Sequence, residues 1–371
     1  MMPMKVAIVY DRVNKWGGAE RTLLMLHKMF PDAPLYTSVY DKKNAPWAEV
    51  FDVRTSFLQH IPFFKHNEII PFLMPLAFES FRFDEYDLVI SVSSEAAKGI
   101  ITKPGTKHIC LCLTPTRYLW SGYEEYFSNK FFRWITLPLV WYMRWWDTVA
   151  AYRPDVLVAN SQEVQSRIKM YYKREAKLLY PPTDAPCLTK HTMEKSSKKE
   201  EYFLVVSRLS SSLISRLSGF TFYKRVDLAI HAATKTGVKL KVAGKGNVSY
   251  FKRIAGPNVE FLGFVSDDQL HDLYAKARAF VFPGKEDFGM VMVEAGLHGT
   301  PVIAYRGGGA LEIVEEGING EFFDTQSVEA LSMSLVNFDK SRYNEVACIR
   351  LAARFSSGIF EKQLKKIIAS L

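Results

Sequence analysis

Residues 283–295, PGKEDFGMVMVEA, hold the carboxylates with the most chemistry to offer, Glu286 and Glu294, on either side of an apolar run. A helix opening near Phe288 leaves Glu286 just ahead of its N-terminus, Asp287 as its cap and Glu294 about two turns inside. The first N–H groups, at Phe288, Gly289 and Met290, are donors for an anionic or hydroxyl-rich ligand. One carboxylate can then hold the hydroxyls of a sugar near that terminus while the other holds those of a ribose. The bland alternative makes Glu286 a partner of the helix dipole and Glu294 a surface residue. It leaves unexplained a charge set among Met290, Val291, Met292, Val293 and Ala295, where an unpaired carboxylate is costly.

Two cations stand at comparable positions. Arg208 closes a β-rich run and Lys224 precedes the next helical one. Such a pair suits a diphosphate leaving group, because charge develops there as the bond breaks; a pair of solvated cations is the alternative. Gly17-Gly18 and Gly307-Gly308-Gly309 each follow a strand pattern and open a helical one. Glycines there let backbone approach an anion closely, and they equally suit a plain turn. The dinucleotide pattern G-x-G-x-x-G, the P-loop, H-E-x-x-H, G-x-S-x-G and D-x-D are all missing. The missing D-x-D argues against a transferase that clamps a diphosphate through Mg²⁺ or Mn²⁺.

These residues need elements to position them, and the chain supplies an alternation of short β-rich runs and helical patterns. Strands are expected at 5–10, 35–40, 52–56, 87–92, 108–113, 156–160 and 177–180, with helices at 19–30, 94–100, 141–152 and 162–172. A second series has strands at 202–209, 239–243, 258–262, 279–282 and 302–305. Its helices fall at 225–236, after Ser266 to 277 from a capping box with Gln269, at 288–297 and at 310–316. Alternation of this kind means parallel strands with crossover helices, and ligands at the carboxyl ends of the strands. The expected organisation is a first domain over 1–182, a polar linker over 183–201, a second domain over 202–354, and a helix over 355–371 returning to the first domain. The Ser-rich stretch 210–223, in which Ser-Arg-Leu-Ser recurs, is a local insertion.

Composition narrows the classes. A chain of 371 residues with 48% apolar residues buries large cores and suits two domains of roughly 150–200 residues. The net charge of +9 is spread evenly, +5 up to residue 190 (24 Lys and Arg less 19 Asp and Glu) and +4 after it (24 less 20), which disfavours a nucleic-acid binder. Cys110, Cys112, Cys187 and Cys348 read as reduced thiols of a cytosolic protein, with Cys110 and Cys112 in the core rather than on a metal. The run 131–146, FFRWITLPLVWYMRWW, has an uncharged part too short to span the roughly 30 Å of a bilayer core. It is either a buried helix pair or a segment lying in a membrane interface.

Taken together, the motifs resemble the retaining glycosyltransferases of family four, whose GT-B fold sets two Rossmann-like doubly wound α/β domains across a central cleft. The hallmark Glu-x7-Glu appears as Glu286 to Glu294. GGAER at 17–21, LTPTRYLW at 113–120, NSQEVQSRI at 160–168, YPPTD at 180–184, YKRVDLAI at 223–230, and the flanks FLGFVSDDQLHDLYAKARAFVFP and GTPVIAYRGGGALEIVEEGINGEFF are also similar. The likeness is greatest to the mannosyltransferase-like branch. It implies a hexose moved with retention from a nucleotide sugar, GDP-mannose first and a UDP-sugar second, to a glycan or lipid-linked acceptor. Neither metal nor other cofactor is implied. The cysteines set the cytoplasm as the expected setting, and the run 131–146 with the net positive charge adds contact at the inner membrane face. Residue by residue, the resemblance puts Gly17 and Gly18 by the donor diphosphate, Arg208 and Lys224 on it, and Glu294 on the ribose. Glu286 and the backbone of Phe288, Gly289, Met290 and Val291 would hold the sugar, and the main chain near Val265 the base. The departing β-phosphate would take the acceptor's proton. Members carry a sugar-contacting His where this chain has Leu113, so a nucleotide-sugar-binding protein without turnover is the alternative.

Overall fold

The computed structural model describes residues 4–61, 71–127, 129–184, 200–209 and 224–371. The insertion 210–223, most of the linker (185–199) and Cys187 lie outside these. The chain forms two units, one of Met1–Pro182 with Ser357–Leu371 and one of Thr183–Ser356.

Unit 1 is built on a parallel sheet of β1 (Val6–Tyr10), β2 (Leu35–Thr37), β3 (Val53–Thr55), β4 (Leu88–Ser93), β5 (Lys107–Cys112), β6 (Val156–Ala159) and β7 (Lys177–Leu178). The spatial order is β3-β2-β1-β4-β5-β6-β7. Every residue of β1 and β4 is buried, as a parallel sheet covered on both faces demands. The helix Ser357–Ala369 puts Phe360, Leu364 and Ile367 into the core that contains Ile8, Leu23 and Leu26. Cys110 and Cys112 are buried free thiols on β5, and burial pushes the Cys110 thiol up to about 11.

Unit 2 repeats the plan with β8 (Tyr202–Val206), β9 (Lys239–Ala243), β10 (Val259–Gly263), β11 (Ala279–Phe282), β12 (Val302–Tyr305) and β13 (Gly320–Phe323), in the order β10-β9-β8-β11-β12-β13. All its pairings are parallel. Both sheets are therefore doubly wound, and in unit 2 the strand order reverses between β8 and β11, the place where such sheets bind ligands.

Several elements differ from the sequence expectation for local reasons. The expected helix over 94–100 is a single 3-10 turn, Ala97–Gly99. The Asp11 carboxylate collects the backbone N–H groups of Ser94, Glu95, Ala96 and Ala97 at 2.6–3.0 Å, and so replaces a helical start. The expected helix over 141–152 is the second part of a longer one, Lys130–Ala150, which runs through Pro138. The helix expected over 310–316 stops at Ile313, and Asn319 Oδ1 accepts the Glu315 N–H at 2.7 Å. The capping box forms as the spacing predicts, with Ser266 and Gln269 reciprocally bonded. Strand β13 and the helices Ser249–Ile254, Val328–Asn337 and Glu345–Ala352 had no clear sequence signal.

Candidate functional site

Three strand ends of unit 2 converge because β8, β11 and β12 are neighbours and parallel. Arg208 follows β8 and is exposed; its segment is held by Ser207 N–H donating to Ala243 O and Leu209 N–H to Lys245 O. The loop after β11 carries Glu286. Lys224 reaches it from the start of the helix Val226–Thr236, with Nζ 2.9 Å from Glu286 Oε1 and both side chains about three-quarters buried or more. Sequence spacing gave these two residues separate tasks; the fold makes them an ion pair. Next to Lys224, Arg225 adopts a left-handed backbone (φ 47°), a costly conformation for a residue with a Cβ and one that clusters at functional sites.

The loop bearing Glu286 is fixed by the glycines after β12. Gly309 N–H donates to Glu286 O at 2.9 Å, and a Cβ on Gly309 would lie 2.2 Å from Phe288 O. Gly307-Gly308-Gly309 is thus a close-packing surface for residues 286–288. Phe288 is buried against Phe355, with ring centroids 5.2 Å apart. The following helix begins at Met290, not Phe288, so Asp287 does not hold the N-cap position. Its cap is Gly289 in the left-handed region (φ 94°), which leaves Met290 and Val291 as the first helical N–H groups.

Glu294 is 8% exposed, so the surface reading of it fails. Its Oε2 accepts the Tyr274 hydroxyl at 2.9 Å. Tyr274 is itself buried and stacks on His298. A carbonyl can only accept, so His298 Nδ1 donates to Glu294 O at 2.7 Å. With a neutral imidazole, His298 Nε2 then accepts from His271 Nδ1 at 3.0 Å. This chain from His271 to the backbone of Glu294 escaped the sequence reading, and its one signal was the i, i+4 spacing of Glu294 and His298. Val265 lies between β10 and the capped helix Asp267–Lys276, half-buried beside the exposed Phe264.

Comparison with known proteins places this arrangement. Residues 190–349 match the family model described as Glycosyl transferases group 1. That match covers 160 of the 371 residues, all of them within the range of unit 2. Among the chain's relatives, a GDP-mannose-dependent alpha-mannosyltransferase of Corynebacterium glutamicum is 27% identical over a stretch covering 33% of this chain and 30% of the relative. The O-antigen chain mannosyltransferase B of Escherichia coli is 34% identical over 25% of this chain and 24% of its own length. The matched stretch thus spans under a third of either relative. The structure of Anabaena HepE in complex with UDP aligns over 99% of this chain and 100% of its own, with a TM-score of 0.69 and 20% identity. That likeness is one of fold, and the fold is GT-B.

The remaining site candidates belong to unit 1, outside the matched stretch. Gly17 is the extended N-cap of the helix Gly18–Met29 and makes no side-chain cap. Inside that helix's first turn Glu20 is buried and accepts the Tyr10 hydroxyl at 2.7 Å. Leu113, directly after β5, is half-buried against the unit 1 core, and its N–H donates to Ser93 O.

Proposed function

We propose that the chain transfers a hexose from a nucleotide diphosphate sugar to an acceptor hydroxyl, with retention at the anomeric carbon. The observation that carries this reading is the Lys224–Glu286 pair at the strand ends, beside a helix start whose Glu294 is buried. On donor binding Lys224 exchanges Glu286 for the β-phosphate, and Glu286 takes sugar hydroxyls. Glu294 takes the ribose, and Arg208 adds a second cation. The bond from the anomeric carbon to the phosphate oxygen breaks as the acceptor oxygen bonds to that carbon on the same face. The acceptor's proton passes to the departing phosphate oxygen, so atoms and charge balance. Two lysine and arginine cations stabilise the leaving diphosphate, and no metal is needed.

GDP-mannose is the favoured donor, supported by the C. glutamicum relative's name, and a UDP-sugar is second, supported by the UDP complex of HepE. A glycan or lipid-linked acceptor is supported by the O-antigen relative. The cytoplasm is the proposed setting, in keeping with three buried free thiols. A binding protein without turnover is the second reading, favoured by the apolar Leu113. A product assay across common nucleotide sugars, with and without excess chelator, tests both. Turnover that persists in chelator is expected. Loss of turnover restored by Mg²⁺ or Mn²⁺ removes the metal-independent mechanism. Tight nucleotide binding with no turnover on any donor leaves the binding protein.

A further inference from the structure

The helix Lys130–Ala150 buries one side only. Val140, Met143, Trp146, Asp147 and Ala150 are buried, and they fall on one face at the 3.6-residue helical period. On the other face Phe131, Trp134 and Trp141 are 71%, 73% and 72% exposed, and Tyr142, Trp145 and Val149 are exposed beside them. These six side chains fall within an arc of about 100°. Apolar surface so concentrated, with three indoles and a phenol in it, is far from the scattered single exposures of an ordinary surface.

Charge says what covers it. The helix has one acid, Asp147, and that acid is spent inside the fold on Lys98, 2.6 Å away with both side chains 1% exposed. Its carboxylate also takes the Thr116, Trp120 and Tyr172 donors at 2.7 Å each. The exposed face therefore carries no negative charge. The guanidinium groups flank it: Arg133 Nε donates to Phe127 O, Arg144 Nε donates to Leu119 O, and both lie over the Tyr123 ring. Among the described residues no helix is long and apolar enough to cross a membrane, and this one is anchored to unit 1 through its second half, Val140 to Ala150.

We propose that this face lies in the plane of a bilayer interface, its aromatic rings at headgroup depth and Arg133 and Arg144 near anionic lipid phosphates. Indole and phenol rings, apolar in body with one polar tip, favour that depth, and flanking cations add attraction to anionic headgroups. The proposal rests on the helix alone and does not depend on the transfer reaction.

The test is flotation of the full chain with vesicles of phosphatidylcholine and phosphatidylglycerol in equal parts, against phosphatidylcholine alone, at low salt. Binding to the anionic vesicles, weakened by salt, is expected. The triple variant Trp134→Ala, Trp141→Ala, Trp145→Ala should reduce partitioning by at least about tenfold. Circular dichroism should show it folded, because all three side chains point away from the core. In the native chain, lipids brominated on their acyl chains should quench a large part of the tryptophan emission. No binding at low salt overturns the proposal. So does self-association abolished by the triple substitution in a chain that leaves vesicles alone, which would assign the face to a second copy.

Discussion

Glu286 and Glu294 keep different company, and that difference predicts different phenotypes. Glu294 is buried and accepts from a neutral hydroxyl, whereas Glu286 is paired with a cation from another element. Glu294→Ala should weaken nucleotide binding by about 1.5–3 kcal/mol, the usual worth of hydrogen bonds to a charged group. Glu286→Ala releases Lys224 for the diphosphate, so nucleotide affinity should hold while transfer falls. Calorimetry with free nucleotide and a product assay separate the two; equal loss of affinity in both variants would end this division of labour. Tyr274 acts through Glu294, and Tyr274→Phe removes the one donor described on Oε2. The expected result is a stability loss of about 1–3 kcal/mol in denaturant, with nucleotide affinity down several-fold and kcat close to the parent's. If affinity and stability both stayed unchanged, the Tyr274 bond would be incidental to the site.

Among the elements, the turn after β12 governs the loop after β11. A methyl at Gly309 would sit 2.2 Å from Phe288 O, against backbone that cannot swing aside as a side chain can. Gly309→Ala must therefore displace residues 286–288. Misplacement of about 1 Å in a positioning segment can cost on the order of a hundredfold in rate. We expect kcat to drop by at least about tenfold, with nucleotide affinity through Glu294 largely kept; an unchanged kcat would mean that the loop tolerates the shift. A glycine triplet in a sequence marks a place where something comes close, and here that something is another stretch of the same chain. In unit 1 the residues 94–100 have helical composition, yet the Asp11 carboxylate takes their N–H groups and only a turn survives. Neither partner is adjacent in sequence, so neither outcome was visible there.

For the whole molecule, unit 1 carries a built-in acid sensitivity. His108, on the interior strand β5, is fully buried with Nε2 2.8 Å from Ser91 Oγ. Burial first, and then Arg153 and Arg174, lowers its pKa from 6.5 to about 3. The folded ring stays neutral while the unfolded ring gains a proton below about 6.5, so the stabilisation is full above that pH and drains away as pH falls towards 3. Each pH unit in that window is worth about 1.4 kcal/mol, so unit 1 should lose about 2 kcal/mol between pH 6.5 and 5. Urea unfolding of the unit 1 transition at the two values, with His108→Met as the variant lacking the slope, checks it; equal slopes would clear His108.

What the sequence determined by itself was local and periodic. The alternation of β-rich and helical runs announced parallel strands with crossover helices, and the Ser266–Gln269 spacing announced its own capping box. The run Glu286 to Glu294 announced a site, because a lone carboxylate among Met290, Val291, Met292 and Val293 needs a reason to be there. Tertiary structure alone decided who meets whom: Lys224 with Glu286, Tyr274 with Glu294, Gly309 with Phe288. It also decided that the aromatic run 131–146 turns Trp134, Trp141 and Trp145 outward and buries Trp146. The reason is physical. Periodicity reports which residues share a face of an element, whereas burial and pairing depend on the element that arrives from elsewhere in the chain to cover that face, or does not.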